Sequence, residues 1–194
     1  MNDLERRVFA VEGLKIEKRD GKPPIISGHA AVFNSMSDDL GGFREQVMAG
    51  AFAEAIEKDD IRALFNHDSN YILGRNRAGT LRLSEDTRGL AIEIDAPDTQ
   101  TIRDLVVAPI ERGDVTGMSF GFSVRPGGQD WAKDDDGRVI RTLKKLRLFD
   151  VSPVVYPAYP ATDVAVRELR GFIAAQFSPT PFRLLRAKEM LART

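Results

Sequence analysis

The chain has 194 residues, 42% of them hydrophobic, which is enough apolar material for one substantial core. Its 28 basic and 29 acidic residues leave a net charge of −1, and this argues against a dedicated nucleic-acid binder, because such proteins carry a basic excess. Cysteine is absent, so disulfides, a thiol nucleophile and thiolate metal sites are excluded, and the composition fits a reducing cytoplasm.

The N-terminus and the hydropathy pattern predict a soluble, intracellular protein. Residues 1–11 alternate charged and apolar side chains and lack the apolar centre of a signal peptide. No segment approaches the about 18 to 20 consecutive apolar residues that a membrane span requires. The two histidines, His29 and His67, lack the spacing of zinc ligands. This argues against a zinc enzyme, and nothing in the sequence calls for another metal or for an organic cofactor.

The first half of the chain predicts strands with one inserted helix. Strands are expected at residues 7–12, 25–33, 61–65, 80–83 and 90–94. The first two are separated by turn-forming residues at 20–23, and the last two flank a hairpin turn at 86–89. A short helix is expected over residues 51–58, after Gly50.

The second half predicts one longer helix followed by two long strands. The helix is expected over residues 99–112, with Asp98 as its cap, and Pro109 should kink or shorten it. The strands are expected at 115–124 and 139–155, on either side of a polar, glycine-containing loop.

The character of the chain changes at residue 163, which predicts a main domain over residues 1–162 and a helical tail over 163–194. Apolar residues in the tail recur at helical spacing, and its six basic and three acidic residues give it a positive bias. Two interpretations stay open. The tail packs its apolar stripe against the main domain, or it serves as a docking or removable segment.

Residues 117–123 contain a candidate nucleophile, Ser119. In an alternating strand the large apolar residues of this segment share one face, and the other face carries Gly117, Ser119, Gly121 and Ser123. Such a small face lets a substrate approach closely, so Ser119 is expected to be open to an incoming carbonyl. The competing interpretation is a tight strand crossing in which the small residues serve packing alone.

His67 follows an apolar strand and is the candidate general base. A neutral imidazole can accept a serine proton and later return it. The alternative is an ordinary edge histidine bonded to a nearby carbonyl.

Asp150 is the candidate that orients the base. In a regular strand it shares a face with Leu146 and Leu148, where a carboxylate needs a partner. A histidine N–H would provide one and fix the imidazole tautomer. The alternative is a salt bridge to Lys144, Lys145 or Arg147. Other acids that could orient the base are Asp68, Glu93 and Asp95.

An ordered series of short motifs resembles the prohead (capsid maturation) proteases of tailed bacteriophages. The motifs are ISGHAAVFN at 26–34, FRE at 43–45, GAF at 50–52, LFNHD at 64–68, LGR at 73–75, GTLRL at 79–83, GMSFGF at 117–122, DVSPV at 150–154 and PAY at 157–159. Each motif alone is a weak signal, but their common order along the chain is specific.

The resemblance implies an α+β, mainly β fold: a distorted, herpesvirus-protease-like β-barrel surrounded by helices. It implies that residues 1–162 form a protease domain with Ser119 as nucleophile and His67 as general base. The herpesvirus enzymes use a second histidine downstream of the serine, and this chain has none, so Asp150 is expected to serve instead. His29 is interpreted as structural. No arginine pair matches the herpesvirus oxyanion site, so the oxyanion donors stay open.

The implied function is a serine endopeptidase that cleaves the scaffold or the N-terminal extension of the major capsid protein, and itself, inside the phage prohead. The expected partners are the major capsid protein with its scaffolding segment and further copies of the chain, without a membrane or direct nucleic-acid contact. The expected location is the host cytoplasm, within the immature prohead. The alternative is a catalytically inactive β-barrel capsid assembly factor. A hydrolase of small esters is a third interpretation. Residues 117–121 match the letters G-x-S-x-G, but the predicted strand continues through Ser119, so the strand-to-helix elbow of the common esterase fold is missing.

Overall fold

A computed structural model describes residues 4–10, 13–156 and 163–177. The chain divides into two compact units, Met1–Pro160 and Ala161–Thr194. Strand residues (48%) outnumber helical residues (21%), so the predicted mainly β, α+β class is confirmed. Among the helices that the structure describes, none is long and apolar enough to cross a membrane.

The first unit contains all of the described strands. In chain order they are β1 (Glu5–Ala10), β2 (Lys15–Arg19), β3 (Lys22–Val32), β4 (Phe43–Val47), β5 (Arg62–Phe65), β6 (Asp68–Arg75), β7 (Leu81–Glu85), β8 (Gly89–Asp95), β9 (Gly117–Val124), β10 (Gln129–Lys133), β11 (Val139–Leu143) and β12 (Leu146–Val154). Its helices are α1 (Ala53–Lys58), a 3-10 turn (Asn76–Ala78), α2 (Gln100–Ile102), a π-helical segment (Arg103–Val107) and α3 (Ala108–Arg112).

The described strands pair in three sheets. The five-stranded sheet has the order β1-β9-β12-β5-β6, in which β9 is antiparallel to both of its neighbours and β12 is parallel to β5. A four-stranded antiparallel sheet has the order β2-β3-β8-β7, and a three-stranded sheet has the order β10-β11-β4. A closed barrel is not found among these pairings, so the predicted barrel stays a prediction.

The core of the first unit lies against one face of β9. Met118, Phe120 and Phe122 are all 0% exposed, which confirms the predicted apolar face of this strand. The Phe120 ring meets the edge of Phe52, which precedes α1, with 5.3 Å between ring centroids. Burial of these large side chains supplies most of the favourable free energy of such a core, and it fixes which face of β9 is left for the small residues.

The longer helix differs from its prediction in two details. Thr99, not Asp98, caps it, because the Thr99 hydroxyl accepts a hydrogen bond from the N–H of Ile102. Of the two effects predicted for Pro109, a kink or a shortening, the shortening is not found, because the helical residues continue to Arg112. The helix widens into the π-helical segment just before α3, where the proline occupies the first turn and its missing N–H is tolerated.

The remaining predictions differ mainly in strand number. The predicted strand at 139–155 is two strands, β11 and β12, joined at Lys144 and Lys145. Four strands were not predicted: β2, β4, β6 and β10. Residues 11 and 12 of the first predicted strand and the motif at 157–159 lie outside the described residues.

The second unit contains helix α4 (Asp163–Phe177), which lies in the predicted helical tail. Residues 178–194 lie outside the described residues. The predicted division of the chain into residues 1–162 and 163–194 stays a prediction.

Candidate active site

Ser119 lies in the interior of the five-stranded sheet. On β9 it is directly opposite Val8 of β1 and Ser152 of β12. Its side chain is 0% exposed, so the expectation that it is open to an incoming carbonyl is wrong. The small residues around it leave room that neighbouring side chains fill.

Gly121 shows what fills this room. A Cβ atom at this position would lie 2.2 Å from Oδ2 of Asp150 and 3.5 Å from Cδ1 of Leu4. The glycine therefore gives the Asp150 carboxylate its place on the face of β9 that carries Ser119. The packing interpretation fits this glycine, because the space it leaves is filled by a candidate catalytic group and not by a substrate.

A β-bulge turns Asp150 towards this face. Leu148 is paired with Phe122 on the core face, whereas Asp150 is paired with Gly121, and the register shifts between them. The expectation that Asp150 shares a face with Leu146 and Leu148 is therefore wrong, because Phe149 is an extra residue that reverses the alternation.

The bulge is held by a charged side chain from the end of α1. The backbone N–H of Leu148 donates to Oδ2 of Asp59 at 3.0 Å. Asp59 also accepts two hydrogen bonds from Arg125, at 2.8 and 2.9 Å. The Asp59 carboxylate thus takes the place of a backbone carbonyl, so the N–H of Leu148 keeps an acceptor next to the bulge.

His67 is placed by a two-residue turn between β5 and β6. Phe65 is paired with Asp68, and the two residues between them, Asn66 and His67, have φ angles of 53° and 58°. Two consecutive left-handed residues are typical of a type I′ hairpin turn, in which asparagine is favoured. Histidine is unusual there, and surrounding contacts must hold it in this conformation.

Asn66 anchors the turn to the end of β12 through its backbone and its side chain. Its N–H donates to the carbonyl of Pro153 at 3.0 Å, and its Oδ1 accepts from the N–H of Val155 at 3.0 Å. The turn that carries the histidine is therefore fixed to the strand that carries Asp150.

The three predicted residues form one hydrogen-bonded line. Nε2 of His67 lies 2.6 Å from Oγ of Ser119, and Nδ1 of His67 lies 2.5 Å from Oδ1 of Asp150. An ionised carboxylate can only accept, so the Nδ1–H donates to Asp150, and Nε2 is left to accept the serine hydroxyl proton. Nucleophile, base and orienting acid have this arrangement in serine proteases. The catalytic roles of the three residues stay predictions that the geometry supports.

Ser152 belongs to the same cluster and was not predicted. Its Oγ lies 2.8 Å from Oδ1 of Asp150 and 3.4 Å from Nδ1 of His67, and the residue is 0% exposed. The available sequence signal is its position two residues after Asp150, which places both side chains on one face of a strand.

Two of the three alternative partners considered for Asp150 bind elsewhere. Lys144 pairs with Asp130 at 2.5 Å, and the Arg147 guanidinium lies over the Phe149 ring at 5.1 Å. The other acids that could have oriented the base are also engaged away from it. Asp68 accepts from Asn70, whereas Glu93 and Asp95 accept from Arg82.

His29 is far along the chain from the base and makes a separate pair. Its Nε2 lies 2.8 Å from Oδ2 of Asp86. This hydrogen bond, with those from the backbone N–H groups of Gly89 and Arg88, lowers the pKa of Asp86 to about 2. The contact joins β3 to the turn before β8, which agrees with the structural interpretation of His29.

Arg6 is a second residue near the site that the sequence did not indicate. It is directly opposite Gly121, in the same cross-strand row as Asp150. Its Nε is buried, and within the described part of the chain it has no hydrogen-bond partner. A buried donor without an acceptor costs about 1 to 3 kcal/mol, so an acceptor brought next to Arg6 would be stabilising.

Comparisons with known proteins show the family of the chain. Residues 12–172 match the caudovirus prohead serine protease family. The chain is similar to the prohead protease of Enterobacteria phage HK97, with 31% identity over 155 residues that cover 75% of this chain and 61% of that protein. It thus spans less than two thirds of the length of this relative. Among solved structures it is similar to the bacteriophage T4 capsid assembly protease, with a TM-score of 0.49, 10% identity, and coverage of 78% of this chain and 96% of that one.

Proposed function

Because the chain belongs to the caudovirus prohead serine protease family, we propose that it is a serine endopeptidase of capsid maturation, with Ser119, His67 and Asp150 as its catalytic residues. The observation that carries the proposal is the hydrogen-bonded line from the serine hydroxyl through the imidazole to the carboxylate.

The reaction follows from the hydrogen bonds of the three residues. Oγ of Ser119 attacks the scissile carbonyl carbon while Nε2 of His67 takes the hydroxyl proton. The imidazolium then gives this proton to the leaving amine, and an acyl-enzyme remains. A water molecule attacks the ester with His67 again as base, which releases the acid and restores Ser119. Asp150 orients the imidazole and stabilises its charged form throughout.

The substrates and partners are part of the same proposal. The enzyme cleaves the scaffold or the N-terminal extension of the major capsid protein, and itself, while it is enclosed in the immature prohead in the host cytoplasm. It associates with the capsid protein and with further copies of itself, and contacts neither a membrane nor nucleic acid. Support comes from the family and from the relative in phage HK97, which is a prohead protease. Residues 1–162 are the protease domain, and residues 163–194 a tail that docks or is removed by self-cleavage.

Co-expression with the capsid protein of the same phage tests the activity. We expect trimmed capsid protein with the wild-type chain and full-length precursor with Ser119→Ala. Ser123→Ala is the matched control. Ser123 lies on the same strand as Ser119, but its cross-strand neighbour on β12 is Arg147, away from the histidine. Equal capsid-protein masses with the wild type and Ser119→Ala would instead favour the non-catalytic assembly factor. Mass spectrometry of the chain itself reports whether the tail is removed.

A further inference from the structure

Oδ1 of Asp150 accepts two hydrogen bonds in the candidate site. One comes from Nδ1 of His67 at 2.5 Å, and the other comes from Oγ of Ser152 at 2.8 Å. Ser152 is two residues beyond Asp150 on β12 and directly opposite Ser119 on β9. The hydroxyl is thus placed beside both ends of the line that joins the acid to the nucleophile.

The direction of the second hydrogen bond is fixed by chemistry. An ionised carboxylate has no proton to give, so the single hydroxyl proton of Ser152 points to Oδ1. The lone pairs of Oγ then face Nδ1 of His67, which lies 3.4 Å away. Hydrogen bonds to an ionised acceptor are stronger than those between neutral groups, and burial strengthens them further.

This contact limits the rotation of the Asp150 carboxyl group. One hydrogen bond from histidine leaves the carboxylate free to turn about its own axis, and a second donor to the same oxygen removes that freedom. Neither Ser152 nor Asp150 can exchange these bonds for water easily, because they are 0% and 7% exposed. In the described part of the chain the Ser152 hydroxyl makes no hydrogen bond beyond those to Asp150 and His67. Its contacts therefore belong entirely to the candidate site.

We propose that Ser152 is a positioning residue for the protease reaction, which holds Oδ1 of Asp150 in line with Nδ1 of His67 so that Nε2 faces Ser119. It does not touch the substrate in this role. The proposal rests on the proposed function for its effect on rate, but its effect on the acid–histidine contact is independent of activity.

Steady-state kinetics tests the effect on rate. The substrate is a synthetic peptide that spans the cleavage site mapped by mass spectrometry of the trimmed capsid protein. We expect Ser152→Ala to lower kcat about ten- to a hundredfold with little change in KM, as for the loss of one charge-assisted hydrogen bond. Ser152→Thr keeps the hydroxyl and should restore most of the rate, and Ser123→Ala should leave both constants unchanged.

Two results would overturn the proposal. A wild-type kcat for Ser152→Ala shows that the hydroxyl does not position the acid. A Ser152→Ala chain that does not fold, as judged by circular dichroism, shows that the hydroxyl serves stability. An inactive wild-type chain contradicts the proposed function instead, and the role of Ser152 is then decided by spectroscopy.

Proton NMR reads the acid–histidine contact in a Ser119→Ala background, where catalysis is irrelevant. The proton between Nδ1 of His67 and Asp150 should resonate far downfield because it lies in a buried hydrogen bond from an imidazole to a carboxylate, and replacing the other histidine, as His29→Gln, assigns the signal. We expect an added Ser152→Ala change to move the signal upfield or broaden it, and Ser123→Ala to leave it in place. An unchanged signal with Ser152→Ala rejects the positioning role.

Discussion

Space for the Asp150 carboxylate depends on a missing side chain. Gly121 admits the Asp150 carboxylate to the Ser119 face of β9, since a Cβ there would lie 2.2 Å from Oδ2. Real Cβ atoms do not approach an oxygen so closely, and the strand cannot shift, because it is paired on both sides. The carboxyl group would have to rotate away from His67.

Gly121→Ala is therefore expected to impair catalysis more than folding. Displacing the acid from a serine protease triad costs on the order of 10⁴-fold in kcat, while overpacking costs about 1 to 3 kcal/mol of unfolding free energy. Peptide cleavage and urea unfolding measure the two effects. Gly28→Ala is the matched control, because this strand glycine has 3.4 Å to its nearest neighbour, an ordinary contact. Unimpaired kcat in Gly121→Ala would contradict the place assigned to Asp150.

The three candidate catalytic residues could be predicted from the sequence, but two of their neighbours could not. Ser119, His67 and Asp150 lie in motifs with a family resemblance, and the structure brings them together. Ser152 and Arg6 are ordinary residue types in strands, and their relevance depends on cross-strand register. Register is set by pairing between distant segments, which a single sequence does not display.

At the level of elements, the hairpin turn between β5 and β6 carries His67, the candidate base. Its two left-handed residues suit asparagine and strain histidine, since the left-handed conformation costs most residues about 1 to 2 kcal/mol. Asn66 compensates by its hydrogen bonds to the end of β12. The side chain of Asn66 thus makes two contributions. It tolerates the left-handed backbone conformation, and it accepts the hydrogen bond that holds the turn at the end of β12.

Three variants at Asn66 separate these contributions. Asn66→Asp keeps an acceptor and tolerates the conformation, Asn66→Gly keeps only the conformational freedom, and Asn66→Ala loses both. We expect kcat to fall in that order, with about 1 to 2 kcal/mol lost in stability for the alanine variant. Peptide cleavage and thermal unfolding are the measurements. Equal kcat values in all three variants would show that the turn does not depend on this side chain to hold His67.

Elements with a clear apolar pattern were predicted, and those without one were missed. The hairpin of β7 and β8 alternates regularly and was found close to its bounds. Strand β10, with the sequence QDWAK, has a single large apolar residue and pairs only with β11 among the described strands. The hydropathy pattern of such a polar strand does not differ from that of a loop.

At the level of the whole molecule, a buried ion cluster joins two sheets. Glu5 of β1 binds Arg141 of β11 at 2.7 Å, and Arg7 of β1 binds Glu45 of β4 at 2.6 Å. All four residues are at most 5% exposed. Arg7 also lies over the Phe122 ring at 5.5 Å. The cluster ties β1, which borders the Ser119 strand, to the three-stranded sheet.

The free energy of unfolding should therefore decrease when the pH is lowered into the acidic range. Burial would raise the pKa of Glu5, but hydrogen bonds and charge from Arg141 and Arg7 outweigh it and hold the pKa below its ordinary value. A lowered folded-state pKa gives stability that is present above the unfolded pKa of about 4.3 and is lost as pH falls through the folded value.

Urea unfolding between neutral pH and pH 3 measures this dependence. We expect Glu5→Gln to be less stable by about 3 kcal/mol at neutral pH, since it leaves buried arginine charge uncompensated, and to lose less on acidification than the wild type. Glu17→Gln, at an exposed position on β2, should follow the wild-type curve. Parallel curves for the wild type and Glu5→Gln would contradict the role of the buried carboxylate.

The extra residue at Phe149 lets Leu148 and Asp150 face opposite sides of the sheet although they are two positions apart in the sequence. If the strand kept its length and became regular, the carboxylate would lie among the core phenylalanines. If instead Phe149 were deleted, leucine and aspartate would be direct neighbours, and ordinary alternation would leave the carboxylate opposite Gly121. Over evolutionary time a single-residue gap at this position should therefore be tolerated, with a plain strand in the place of the irregular one.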